Sequence, residues 1–291
     1  MERYIIGAGI KEIETPALLL DLDKLEYNIH KMADFLNEKG SSIRPHFKTH
    51  KSPFLAHKQI EAGAIGISCQ KLSEAEVLAR SGIKDILITN EIIGSQKIKR
   101  LVNLAAYTDV KVSVDDENNA ERISEAALGK SVIVNTLIEL NIGMNRCGVE
   151  PGEVALNLVQ KIKNLKGLKF MGIMAYEGHT VFIESFKERE VEVMNSLKKV
   201  SETRKIIEDA GIDCEIISCG GTGTYMITGA YPGVTEIEAG SYLTMDTKYN
   251  LIDGTTVITI ERGVKAVEKQ GQNPKVVDLT KGWFYGGRPV K

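Results

Sequence analysis

Several things are scarce in this 291-residue chain, and each scarcity closes off a class of protein. Charge of one sign is missing: 37 lysines and arginines stand against 39 acidic residues, for a net charge of -2, so nothing directs the chain to nucleic acid or to a membrane surface. Long apolar runs are missing too. The longest, such as "VIVNTLI" at 132–138, fall far short of a spanning helix, and the N-terminus lacks a secretion-signal layout, which reads as a cytoplasmic protein. Four cysteines, at 69, 147, 214 and 219, have no C-x-x-C spacing and cannot form a disulfide scaffold. Histidine occurs only at 30, 46, 50, 57 and 179, so nothing after residue 179 can supply a histidine metal ligand.

The chain does contain a regular alternation. Short β-branched runs at 42–47, 64–70, 85–90, 110–115, 132–140, 168–176, 214–221 and 234–240 are separated by helix-period segments. Ser52-Pro53 gives an N-cap and a first-turn proline, and Gly63 closes that helix. Ser73 with Glu76 reads as a capping box, Gly82 and Gly129 follow two further helices, and Pro151 opens another. Eight strand-helix units spanning roughly 42 to 245 predict an α/β fold, a (β/α)8 TIM barrel. The alternative, an open doubly wound sheet, would need "GAGIKE" at 7–12 as its dinucleotide turn, where the third glycine is absent and no strand-helix unit follows. Before the barrel, "ETPALLLDLDKLEYNIHKMADFL" predicts a strand and a helix capped near Asp23. After Tyr249, "TTVITIERGVKAV" and "PKVVDL" predict strands, so the expected division is a barrel unit over 1–249 and a short β-rich segment over 250–291. A piece that small must lean on the barrel or on another subunit.

Barrel sites form at the C-terminal ends of the strands. "IRPHFKTHKSPF", at 43–54, ends the first strand there. Strand parity puts Arg44, His46, Lys48 and His50 on the inward face, and Ile43, Phe47 and Thr49 on the outward one. An inward lysine must be paired, neutralised or used covalently, which selects Lys48 over Lys51. "SCGGTGTY", Ser218 to Tyr225, ends strand seven, and "EAGSY", Glu238 to Tyr242, ends strand eight. Their glycines and hydroxyls form an anion cradle at the usual phosphate position of a barrel. A lysine facing a phosphate cradle points to a phosphorylated carbonyl cofactor, of which pyridoxal 5'-phosphate (PLP) is the commonest. Tyr176 and His179 in "AYEGH" and Arg146 in "LNIGMNRCG" also fall at the mouth, and Gln70 and Asn90 end strands two and three.

"TPALLLDLDKLEYNI", "RPHFKTHKS", "GISCQKLSEAEVLARSGIKDILITNEIIG", "GMNRCGV", "YEGH", "SCGGTGTY" and "EIEAGSYLTMD", in order over roughly 15–250, together resemble the D-threonine aldolase and D-serine dehydratase group of alanine-racemase-like, fold-type III PLP enzymes. The resemblance implies that Lys48 is the Schiff-base lysine, with Tyr176 and His179 near cofactor and substrate and His179 as the base for a β-hydroxyl proton. It implies that Arg146 approaches the cofactor's phenolic oxygen. Gly221, Thr222, Gly223, Gly240 and Ser241 would hold the phosphate, with His46, Gln70 and Ser218 completing the cofactor pocket. Cationic Arg44 and Arg146 are expected to help keep Lys48 unprotonated. The implied activity is a lyase acting on D-β-hydroxy amino acids, in a homodimer. Amino-acid racemisation, or PLP binding with little catalysis, are the other readings on this scaffold. Family members also carry a divalent-metal pair of histidine with cysteine or aspartate in a C-terminal β-domain. That pair is not found here, so no metal ligand is assigned.

Overall fold

The computed structural model describes residues 9, 12–13, 17–246 and 248–252, and the backbone of strands at 264–270, 273–277, 284–285 and 288–289. Most of the "GAGIKE" turn and 253–263 lie outside the described residues.

Eight parallel strands form one sheet in the order β2-β9-β8-β7-β6-β5-β4-β3: β2 (Ser42–Ile43), β3 (Ile67–Cys69), β4 (Asp85–Glu91), β5 (Asp109–Val114), β6 (Val134–Glu139), β7 (Leu168–Ala175), β8 (Ile216–Cys219) and β9 (Glu236–Ile237). The two edges of that order meet. Ile65 N–H donates to Ile43 O at 3.1 Å, Ser68 N–H donates to Pro45 O at 2.9 Å, and His46 bridges Ser68 in parallel, so the sheet curls into the expected barrel. Every strand is followed by a helix or turn that returns the chain to the start of the next, as parallel pairing requires. The helices are α2 (Pro53–Glu61), α3 (Leu72–Arg80), α4 (Ser95–Ala105), α5 (Glu117–Leu128), α6 (Glu153–Asn164), α7 (Phe186–Asp209) and the short α8 (Tyr225–Thr228). No helix among the described residues is long and apolar enough to cross a membrane.

The strands' outward side chains, among them Ile67, Ile86, Ile88, Val112, Ile138 and Ile173, pack against the apolar stripes of these helices. Leu87, Leu137, Met171 and Met174 form a separate cluster, the apolar middle layer of the barrel interior.

Two features anchor the site's surroundings. Ahead of the barrel, β1 (Ala17–Leu20) leads into α1 (Leu22–Lys39), whose N-cap is Asp21, accepting from Lys24 N–H, two residues before the Asp23 expected. Leu25, Ile29, Met32 and Leu36 give α1 its buried stripe, and Asn28 on the same face donates to Leu243 O at 3.0 Å, fastening the turn after β9. At the other end, β10 (Val264–Gln270) and β11 (Asn273–Val277) form an antiparallel hairpin, and β1 pairs with β10, so the first strand joins the late β-rich segment rather than the barrel.

Three local expectations need correction. The first strand does not stay extended to Lys48: after the His46 bridge the chain turns into a 3-10 helix at Phe47–Thr49, with His46 Nδ1 capping Lys48 N–H at 3.2 Å. Proline at 45 supplies no ladder N–H, and a period of three replaces the period of two. The alternating assignment therefore fails beyond His46. Thr49 faces the mouth cavity, while His50 packs edge-on against Phe47 at 5.3 Å between ring centroids. The second correction concerns α3, which begins at Leu72. Its box acid is Glu74, accepting from Gln70 and Lys71 N–H, rather than Glu76. Glu76 instead pairs with Arg100 on the surface. In the third, Arg44 stays away from the lysine, down among the first residues of the strands, where Glu236 and Asp85 neutralise it.

Candidate active site

A cavity opens at the C-terminal ends of the strands, where a barrel carries its chemistry. His46, Lys48, Gln70, Arg146, Tyr176, Gly221, Thr222, Gly240 and Ser241 from six strand ends all line it. Thr49, Thr89, Met174, Gly220, Glu238 and Tyr249 complete the lining. Ser218, Gly223 and His179 do not reach its wall. Ser218 is buried one layer below and donates to Glu238 Oε1 at 2.7 Å. Gly223 packs on the Val181 backbone, where a Cβ would come within 2.4 Å of Val181 O. His179 stands exposed outside the cavity wall, its ring over Gly143 and its Nε2 3.4 Å from Ser196 Oγ. Asn90 turns away as well, donating to Gln70 O at 3.1 Å.

Lys48 owes its place to its short turn. Its Nζ lies 5.9 Å from the Tyr176 ring centroid, and the Arg146 guanidinium carbon lies 5.9 Å from the same centroid. Burial lowers the Lys48 pKa first, and Arg146 lowers it further against the opposing pull of Glu238 and Glu74. The neutral amine that a covalent role needs is thereby favoured. His46 accepts from Lys48 N–H through Nδ1, so its Nε2 carries the hydrogen and donates to Thr89 Oγ1 at 3.1 Å. Burial, then the charges of Lys48 and Arg146, hold this imidazole well below its ordinary pKa and therefore neutral. Tyr176 is pushed up by burial and remains a phenol.

The glycine turns lie close to this group. Gly240 presses on the lysine turn so tightly that a Cβ would sit 2.6 Å from Thr49 Oγ1 and 2.9 Å from His46 O. Gly221 lies beneath Tyr176, where a Cβ would meet the ring at 3.1 Å. Thr222 Oγ1 accepts from Tyr242 N–H at 3.0 Å, tying the strand-seven and strand-eight turns into one rim.

Two functional residues were not picked out from sequence. Glu177, fully buried, accepts from Gly220 N–H at 3.1 Å and from the Thr224 and Thr228 hydroxyls at 2.7 and 2.5 Å, and so holds the glycine turn in shape. Its neighbours in "YEGH" drew attention because their side chains are the usual chemical players. Glu238 lies in the cavity wall, its pKa pushed up to about 8 by burial and by Glu236, against the stabilising bond from Ser218. Its signal was present in "TEIEAG", where Glu236 and Glu238 alternate with Ile237 and Ala239 and so must face inward.

A curled parallel barrel with a lysine turn lining the cavity at its mouth, facing glycine-bearing turns from its last two strands, defines the fold-type III class of barrels. The chain belongs to the family described as "Alanine racemase, N-terminal domain", whose profile matches residues 20–248. It is 35% identical over 243 residues to a D-threonine aldolase of Arthrobacter sp, covering 84% of this chain and 64% of that one. It is 37% identical over 259 residues to a 3-hydroxy-D-aspartate aldolase of Paracoccus denitrificans, covering 88% and 67%. Among solved structures, the D-threonine aldolase of Filomicrobium marinum superposes with a TM-score of 0.86 at 37% identity, covering 89% of this chain and 69% of that one. The chain thus spans about two thirds of the length of the curated relatives it matches.

The family is PLP-dependent, and the residues fit that cofactor. A lysine amine with a lowered pKa, a guanidinium and two glycine-bearing turns converge on one cavity, which matches an aldehyde, an anionic oxygen and a phosphate.

Proposed function

We propose that the chain is a PLP-dependent lyase acting on D-β-hydroxy amino acids, breaking a carbon-carbon or carbon-oxygen bond as D-threonine aldolases and D-serine dehydratases do. The observation that carries the reading is Lys48: its amine lines the cavity at the barrel mouth, its pKa lowered toward the neutral form, with the Gly220–Thr222 and Gly240–Ser241 turns in the same cavity wall.

When bound to Lys48, PLP supplies an electron sink for a bond to the substrate's Cα. Lys48 anchors the cofactor and moves a proton at Cα. Gly220, Gly221, Thr222, Gly240 and Ser241 hold the phosphate, and Arg146 holds an anionic oxygen. Tyr176 walls the space between lysine and arginine and excludes water from it. His179, outside the wall, accepts the β-hydroxyl proton of a substrate extending that far. The same proposal takes residues 1–249 as the PLP-binding unit and 250–291 as a separate β-rich segment, in a cytoplasmic homodimer.

The test uses purified protein with added PLP. A visible absorbance band should appear and be trapped on Lys48 by borohydride. D-threonine should then yield glycine and acetaldehyde, or D-serine pyruvate and ammonia. Lys48→Ala should lose the band and at least about 10²–10⁴-fold in rate. Neither product, with or without divalent metal, would overturn the lyase reading; inversion of a retained amino acid would identify a racemase instead.

A further inference from the structure

Beside the cavity lies a second group of polar side chains, gathered round the buried Glu139. Glu91 ends β4 and Glu139 ends β6, with Cys147 and Arg146 on the loop that follows β6. One carboxylate oxygen of each glutamate and Cys147 Sγ lie within 4.8 Å of one another. Glu139 Oε1 already has two donors, Arg146 Nη2 at 3.1 Å and the Cys147 thiol at 2.7 Å. By contrast, Glu139 Oε2 and Glu91 Oε1 are both buried without any donor.

Two adjacent carboxylate oxygens without donors repel each other when both groups are ionised, so the arrangement favours one proton held between them. Glu91 is the group that holds it: burial first, then Glu139 and Asp115, push its pKa up to about 8. Cys147 stays a thiol donor, raised to about 12 by burial and by its bond to Glu139. Glu139 thus collects a carboxyl proton, a thiol proton and a guanidinium.

The loop geometry explains why the arginine needs this anchor. Asn141 Oδ1 accepts from Gly143 and Asn145 N–H at 3.3 and 3.1 Å, and Asn145 takes a left-handed backbone at φ 52°. The loop then closes back through Val149 N–H to Glu139 O at 2.9 Å, carrying Arg146 over the end of β6. Arg146 is 40% exposed and Glu139 only 4%, so the rigid partner is the glutamate.

We propose that Glu139 is a positioning residue: locked by Glu91 and Cys147 at the end of β6, it fixes the Arg146 guanidinium at the cavity wall against Tyr176, in register with an anionic oxygen of PLP. The inference rests on the PLP reading above and adds residues that the family motifs did not single out. An arginine donating to both Glu139 and Cys147, and a 2.7 Å contact between sulfur and oxygen, fit a hydrogen-bonded anchor better than ligands shared by one ion.

The experiment titrates PLP into wild type, Glu139→Gln, Arg146→Met and the double variant, following the visible band and its pH dependence. Glu139→Gln should weaken PLP binding roughly tenfold, as loss of a charge-assisted hydrogen bond does, and shift the pH at which the band titrates. In the Arg146→Met background it should change neither. An E139Q protein identical to wild type in both readouts, or losses that multiply in the double variant, would overturn the positioning role. So would one divalent ion per chain by elemental analysis, present in wild type and absent from E139Q, which would make the cluster a metal site. If circular dichroism shows E139Q unfolded, Glu139→Asp decides: it keeps the charge but retracts it, and should move the band in the same direction by less. A Glu139→Asp titration identical to wild type overturns the proposal. A wild type that gains no band with PLP sinks the cofactor reading instead.

Discussion

The two ends of this barrel treat buried charge in opposite ways. At the floor every charge meets a counter-charge. Arg44, 2% exposed, donates Nε and Nη2 to the two oxygens of Glu236 at 2.8 and 3.0 Å and Nη1 to Asp85. Lys111 adds bonds of 2.9 Å to Asp85 and 2.8 Å to Asp109, and Asn135 completes Asp109. At the mouth, apart from the pair of Arg146 with Glu139, charge is disfavoured instead. His46 and Lys48 are biased toward their neutral forms by burial, and Glu238 and Glu91 hold protons up to about pH 8. The change comes within two residues of one strand: Arg44 to His46 on the first, Glu236 to Glu238 on the last. Ion pairing fixes the closure of the sheet, whereas withheld charge leaves groups free to exchange protons.

The largest expected effect breaks the floor. Arg44→Met strands Glu236 and part of Asp85 without a cation, and removing one partner of a buried pair costs about 3–5 kcal/mol. Urea unfolding should show that loss, while the protein that remains folded keeps its visible band with PLP. A loss under about 1 kcal/mol would mean that water already solvates the floor, and the contrast between the two ends would collapse.

A smaller effect probes another polar group near the mouth, Glu177, which accepts from one backbone N–H and two hydroxyls. Glu177→Gln replaces an acceptor by a donor that faces other donors. The glycine turn should loosen, with roughly tenfold weaker PLP binding and little change for pyridoxal, which lacks the phosphate. Equal losses for both ligands would show that Glu177 merely supports the barrel.

Much of this contrast could be read in the sequence, and the part that could not has a physical cause. Eight β-branched runs with helix punctuation specify the barrel because parallel strands buried on both faces must be apolar. "RPHFKTHK" and the glycine turns mark the mouth because they place residues that a core would not accept. Parity failed at Lys48, where the ladder ends after His46 and a turn of period three brings Lys48 and Thr49 to the cavity but not His50. Arg44 was placed near Lys48 because parity fixes which face a residue uses and says nothing of its depth along the barrel axis. Glu139 and Glu177 could not be picked out, since each acts through a partner: Arg146 for one, Gly220 and the threonines for the other. Glu238 could have been found, from the same alternation that located Lys48's strand.

The smallest effect sharpens the comparison through pH. Glu238 has an ordinary pKa near 4.3 in the unfolded chain and about 8 in the folded one. Between those values the folded state binds the proton and the unfolded state does not, so stability contributed by Glu238 is complete below about pH 4 and declines as pH rises toward 8. His46, His50 and Lys48 act with the opposite sign, because burial lowers their folded pKa values and the unfolded chain binds protons that the folded chain refuses. The total curve therefore mixes both slopes, and the difference between wild type and Glu238→Gln isolates the carboxyl. The stability gap of the glutamine variant relative to wild type should move in its favour from pH 5 to pH 8 in urea titrations. A gap independent of pH would show that Glu238 ionises at its ordinary value. Lys48 would then face a full carboxylate, its amine would keep its proton more tightly, and the mouth would resemble the floor.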